Sequence, residues 1–100
     1  MSNFICETNK KDDELTIYLK GNMGGNDSEK LDAVARKELD GIMHVIIDCS
    51  ALEHLPSTAL QSIMEILNIL DDFNDSSLKI VNMNENVREV LRVSGFLDFL

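Results

Sequence analysis

Two hydroxyls stand side by side at Ser57-Thr58, after the only proline, Pro56, and before Ala59-Leu60-Gln61-Ser62. A serine or threonine does covalent chemistry as a nucleophile only with a base in reach and a third group to orient that base. His54 is the one base nearby in sequence, and no orienting group is evident, so the chain is not read as an enzyme. A hydroxyl at a helix entrance has two other uses. Thr58 with Gln61 fits a capping box, in which the threonine accepts from a backbone N–H and the glutamine reaches back. A phosphate on Thr58 would also sit at free N–H groups and the positive helix end, adding up to two negative charges. The same residue therefore suits a cap, a switch, or both.

Cysteine and histidine offer less. Cys6, Cys49, His44 and His54 contain no CxxC or HxxxH pair to anchor a zinc site. Neither metal nor cofactor is expected, and the cysteines read as free thiols in a reducing compartment.

The charge balance excludes other partners. Nine Lys and Arg against eighteen Asp and Glu give a net charge of −9. Nucleic acid and anionic lipid headgroups both demand clustered cations, so neither nucleic acid nor direct membrane binding is expected. No apolar run approaches the roughly 18 residues of a membrane span, and the N-terminus lacks the basic and apolar regions of a signal peptide. A cytoplasmic location follows as the expectation.

The elements that must position Ser57 and Thr58 are legible as periodicities. One hundred residues suit one domain, 1–100, with one hydrophobic core. Residues 4–8 read as a strand, 10–13 as a polar hairpin turn, and 15–20 as a second strand alternating with period two. Gly21-Asn22-Met23-Gly24-Gly25 breaks that strand. Asn26 with Glu29 resembles a capping box for a helix carrying Leu31, Val34, Ala35 and Leu39, closed by Gly41. Residues 43–48 form an apolar central strand. A loop over 49–57 leads into a long helix from about Thr58 to Phe73, followed by a strand at 78–83. Asn84 caps a final helix with Val87, Val90 and Leu91, ended by Gly95 with Phe96 packing back.

The resulting order is β-β-α-β-α-β-α. Right-handed crossovers make the last three strands parallel, the opening hairpin adds an antiparallel edge, and the helices fall mainly on one face. The expected fold class is thus α/β with a mixed sheet. On the long helix, Leu60, Ile63, Met64, Leu67 and Leu70 form the expected sheet-facing stripe. Ile66, Ile69 and Phe73 form a second apolar side, expected to be partly exposed and available to a partner.

Taken together, these segments resemble the STAS domain, the module of bacterial anti-sigma-factor antagonists. The likeness covers nearly the whole chain. It rests on Gly21-Asn22-Met23 with Glu29 and Leu31, on Val45-Ile46-Ile47-Asp48-Cys49-Ser50, on Pro56-Ser57-Thr58-Ala59-Leu60, and on the segment from Val87 to Phe96 with its Ser94-Gly95-Phe96 ending. The family typically reads Asp-Ser-Ser/Thr-Gly-Leu at the third segment and modifies the second hydroxyl, which is Thr58 here, with Ser57 the second choice. Pro56 stands where the family has Asp, Ala59 where it has Gly, and Gly24 where it has a loop Asp. The family's terminal helix is missing or very short.

The resemblance implies a protein that binds a serine/threonine switch kinase acting as an anti-sigma factor. Phosphorylation would end the association and a phosphatase would restore it. The partner surface it implies comprises Met23, Gly24, Pro56, Ser57, Thr58, Ala59, Gln61, Ser62 and Ile66. The alternative is a STAS subunit docking without phosphorylation on the ATPase of an ABC-type transporter, or a scaffold module.

Overall fold

The structure, a computed structural model, describes residues 3–70 and 75–99. Its sheet begins with the hairpin of β1 (Ile5–Lys11) and β2 (Glu14–Asn22), paired antiparallel with Cys6 opposite Leu19. Asp12 makes the reversal at φ 56, a left-handed conformation that aspartate tolerates. β2 pairs in parallel with β3 (His44–His54), which pairs in parallel with β4 (Ser77–Val81), giving the order β1-β2-β3-β4. Three helices complete the α/β architecture: α1 (Ser28–Lys37), α2 (Thr58–Leu70) and α3 (Glu85–Val93). The mixed sheet and the order β-β-α-β-α-β-α are as the sequence predicts.

Alternation explains which face is covered. Leu15, Ile17 and Leu19 are buried, while Thr16, Tyr18 and Lys20 between them are half-exposed. Parallel register puts Val45 and Leu78 beside Leu15, and Ile47 and Ile80 beside Ile17, so one face carries the apolar rows. Each fully buried Leu or Ile contributes about 1.5–3 kcal/mol of transfer free energy. α1 and α2 pack on each other, and α3 packs against β3.

Several details differ from the sequence reading. β1 runs on to Lys11 through part of the expected turn, α1 ends at Lys37 short of Leu39 and Gly41, and β4 covers Ser77–Val81 rather than 78–83. β3 continues to His54 instead of stopping at Asp48, with shifts of register near Tyr18/Lys20 and Gly21/Asn22 absorbing the irregular part. α1 begins at Ser28, after a 3-10 turn over Gly25–Asp27, so Asn26 does not cap it. The buried stripe of α2 is Ala59, Ser62, Ile63, Ile66 and Leu70. Leu60, Met64 and Leu67 are only half-buried, so the helix is rotated relative to the expected stripe. Ile66 is therefore corrected from a partly exposed residue to a core residue with no exposed surface, while Ile69 is exposed and Phe73 lies outside the described residues.

The ends of the elements are held by side chains. Asn84 Oδ1 accepts from the Val87 N–H at 2.8 Å, as expected of a cap. At the far end of α3, Gly95 takes φ 81 and donates to the Arg92 carbonyl. Ser94 Oγ donates to the Leu91 carbonyl and accepts from the Phe96 N–H, so the hydroxyl bridges two groups at the helix end.

Candidate functional site

β3 delivers the chain to Leu55, whose buried side chain anchors the turn, and Pro56 is half-buried after it. The carbonyls of Pro56 and Ser57 accept from the Ala59 and Leu60 amides at 3.0 and 3.1 Å, forming the first turn of α2. Ser57 and Thr58 are exposed on that turn, and Ala59 points fully inward. Since those two amides are occupied, a phosphate on Thr58 would meet the positive helix end but not these N–H groups.

The capping box does not form. Thr58 Oγ1 donates at 3.2 Å to the Gly25 carbonyl in the turn between β2 and α1, and among the described residues neither Thr58 nor Gln61 bonds back into the first turn of α2. The turn receiving Thr58 has its own internal structure. Gly24 N–H donates to Asp27 Oδ2 at 2.8 Å, Asp27 N–H donates to the Gly24 carbonyl at 3.0 Å, and Ser28 Oγ donates to the Gly25 carbonyl at 3.2 Å. Asp27 is only 6% exposed, and its Oδ1 lies 3.7 Å from Lys30 Nζ, which also donates to the Phe4 carbonyl.

The structure thus sorts the expected partner residues into two groups. Gly24, Ser57, Thr58 and Gln61 are exposed and Pro56 half-exposed, all around one corner. Met23, Ala59, Ser62 and Ile66 are buried and support that corner from below. Ser62 Oγ donates to Asp32 Oδ1 at 2.5 Å and lies 3.3 Å from the Ser28 carbonyl, tying α2 to α1.

Beside this corner lies an apolar groove of about 510 Å³, lined by His54, Ser57, Leu60, Glu89, Val90 and Val93 among others. Val93 is 70% exposed. Glu89 on the rim is held below the usual carboxylate range by the hydrogen bond from Arg92. Sequence reasoning missed this groove and Asp27. Val93 lies off the buried stripe of α3, and that position was the available signal. Asp27 resembles any surface acid in a glycine-rich turn.

Cys49 is buried, and desolvation with the neighbouring Asp48 carboxylate pushes its pKa from the ordinary 9.0 up to about 12. Cys6 is half-buried and raised by desolvation. Neither has the lowered pKa of a reactive thiol. Among the described residues no group of His, Cys, Asp or Glu could hold a metal ion, and no helix is long and apolar enough to cross a membrane.

Comparison with known proteins bears on the family and the fold. The family model described as "STAS domain" matches residues 6–100. The structure of the anti-sigma factor antagonist SpoIIAA in its unphosphorylated form is similar, with TM-score 0.77 and 19% identity over 93% of this chain and 81% of that one. An anti-sigma factor antagonist from Mycobacterium paratuberculosis matches with TM-score 0.77 and 17% identity, over 98% of this chain and 83% of that one. The Bacillus cell fate determinant SpoIIAA in the phosphorylated form matches with TM-score 0.70 and 17% identity, over 95% and 86%. At these identities the likeness is one of fold. No curated protein matches the chain in sequence.

Proposed function

The chain belongs to the STAS domain family, and on that premise we propose that it acts as an anti-sigma-factor antagonist switched by phosphate on Thr58. In this reading it is a cytoplasmic ligand and substrate of a switch kinase rather than a catalyst, and a phosphatase reverses the modification. One observation carries the reading: Thr58 presents an exposed hydroxyl at the start of α2, flanked by exposed Gly24, Ser57 and Gln61. That arrangement lets a kinase reach the oxygen and lets two added charges disrupt a surface docked on the same corner. The structures of SpoIIAA in unphosphorylated and phosphorylated forms support a fold that tolerates the modification.

Constitutive docking, for instance on a transporter ATPase, is the competing reading. It is favoured by Gly24 and Pro56, which leave the corner without the acids that the family pattern places there. Phosphopeptide mapping of the protein isolated from its own cells separates the two. Phosphothreonine at 58 supports the switch. Phosphate confined to Ser57 moves the switch to the neighbouring hydroxyl, and none under any growth condition leaves constitutive docking as the better account.

A further inference from the structure

The hydrogen bond from Thr58 joins residues 33 positions apart and fastens one loop to the start of α2. The donated proton is the only one the hydroxyl has. Its acceptor, the Gly25 carbonyl, sits in a loop that Asp27 closes from both ends. The carboxylate takes the Gly24 N–H, and the Asp27 N–H takes the Gly24 carbonyl. The carboxylate holding the loop is nearly inaccessible to water, whereas Gly24, Gly25 and Asn26 are exposed beside Thr58. A buried acceptor is thus spent on fixing the shape of an exposed loop.

We propose that Asp27 is a positioning residue for Thr58, and that the 24–27 loop is latched to α2 by the free hydroxyl and released by its phosphorylation. The second half rests on Thr58 as the modified residue; the first does not. When a kinase transfers the γ-phosphoryl group of ATP, the bond from Thr58 Oγ1 to phosphorus forms and the bond to the ADP oxygen breaks. The hydroxyl proton passes to the kinase's base. The bridging oxygen left on Thr58 has no proton to donate. An ester oxygen and a carbonyl oxygen 3.2 Å apart are two acceptors facing each other, and they repel. The Gly25 carbonyl keeps the Ser28 hydroxyl, and the loop loses this tie to α2. A partner that contacts both the loop and α2 therefore reads modification twice, as added charge and as a loop no longer held in place.

Amide hydrogen exchange and side-chain couplings by NMR on the full chain test this with five proteins: wild type, Thr58→Val, Asp27→Asn, Asp27→Ala, and protein carrying chemically installed phosphothreonine at 58. Thr58→Val keeps the side-chain shape without the donor. It and the phosphorylated form should each exchange roughly tenfold faster at Gly24 and Asp27, the order of one lost hydrogen bond. Ile47 and Leu78 in the sheet should not change. Asp27→Asn, which keeps an acceptor for the Gly24 N–H, should keep a single Thr58 side-chain rotamer in scalar couplings, whereas Asp27→Ala should average it. If Asp27→Ala does not fold, the wild type still decides, because rotamer averaging at Thr58 in the unmodified protein overturns the positioning role. Unchanged exchange at Gly24 and Asp27 in both Thr58→Val and the phosphorylated form overturns the latch. Because the phosphate is installed chemically, a protein never phosphorylated in cells would sink the switch reading and leave the latch standing.

Discussion

Removing the side chain of Asn84 should cost about 2 kcal/mol, more than an ordinary helix cap. Its Oδ1 accepts from the Val87 N–H at 2.8 Å, and losing such a cap costs about 1 kcal/mol. Its Nδ2 donates to the Leu52 carbonyl at 3.0 Å and the Glu53 carbonyl at 3.3 Å, fastening α3 to the end of β3. The bond to Leu52 is partly buried, so losing its donor adds about 1 kcal/mol, whereas the exposed Glu53 carbonyl can turn to water. For a chain of this size, about 2 kcal/mol lowers Tm by roughly 8–16 °C. Asn84→Ser separates the contributions, since its hydroxyl can still cap but is too short to reach Leu52. Urea denaturation should give about 2 kcal/mol for Asn84→Ala and about 1 kcal/mol for Asn84→Ser, with unchanged m-values. The reasoning is refuted if Asn84→Ala lies within about 0.5 kcal/mol of wild type, or if Asn84→Ser costs as much as Asn84→Ala.

Two further outcomes follow from burial. Ile66→Ala should destabilise by about 3 kcal/mol, because the residue has no exposed surface and the substitution leaves a cavity; urea denaturation giving less than about 1 kcal/mol would return Ile66 to the surface. Cys49 carries a folded pKa of about 12 against the ordinary 9.0, so its contribution to stability is intact below pH 9 and is lost as pH rises from 9 towards 12. Stability of wild type relative to Cys49→Ala should therefore fall with a slope of up to about 1.4 kcal/mol per pH unit across that window, and parallel curves for the two proteins would contradict the assigned burial.

Period and punctuation carried most of the fold. Alternation over Leu15 to Lys20 specified a strand and its covered face, and Asn84 and Gly95 bounded α3 through chemistry that the structure reproduces. Legibility failed where a small or polar residue does a core residue's work. Ser62 is 2% exposed and held by Asp32 and the Ser28 carbonyl, and with Ala59 it sets the phase of α2. A wheel weighted towards leucines chose the wrong phase, because hydropathy does not register a hydroxyl satisfied by a neighbouring helix. β3 extends further than expected because Ser50, Glu53 and His54 interrupt its apolar run and a register shift between Tyr18 and Lys20 moves the next buried residue to Leu52, one position out of phase with Val45, Ile47 and Cys49. At the site, the helix start at Thr58 was legible from the residues that follow it. The destination of its hydroxyl was not, since the Gly25 carbonyl is a backbone group distant in sequence. Asp27 was missed for a related reason: the box-like spacing was assigned to Asn26 and Glu29, whereas the carboxylate that closes the turn lies between them.

The account is tested most directly by the affinity of a single partner for three forms of the protein. Wild type, Thr58→Ala and protein carrying phosphothreonine at 58 are each immobilised and exposed to extract of the cells that make the chain. The retained kinase-domain protein is then purified and titrated against each form. Thr58→Ala, which loses the tie to Gly25 but adds no charge, should bind it at most a fewfold more weakly than wild type, and phosphothreonine at 58 should weaken binding by at least tenfold. Equal affinity for the unmodified and phosphorylated forms would contradict the switch at Thr58.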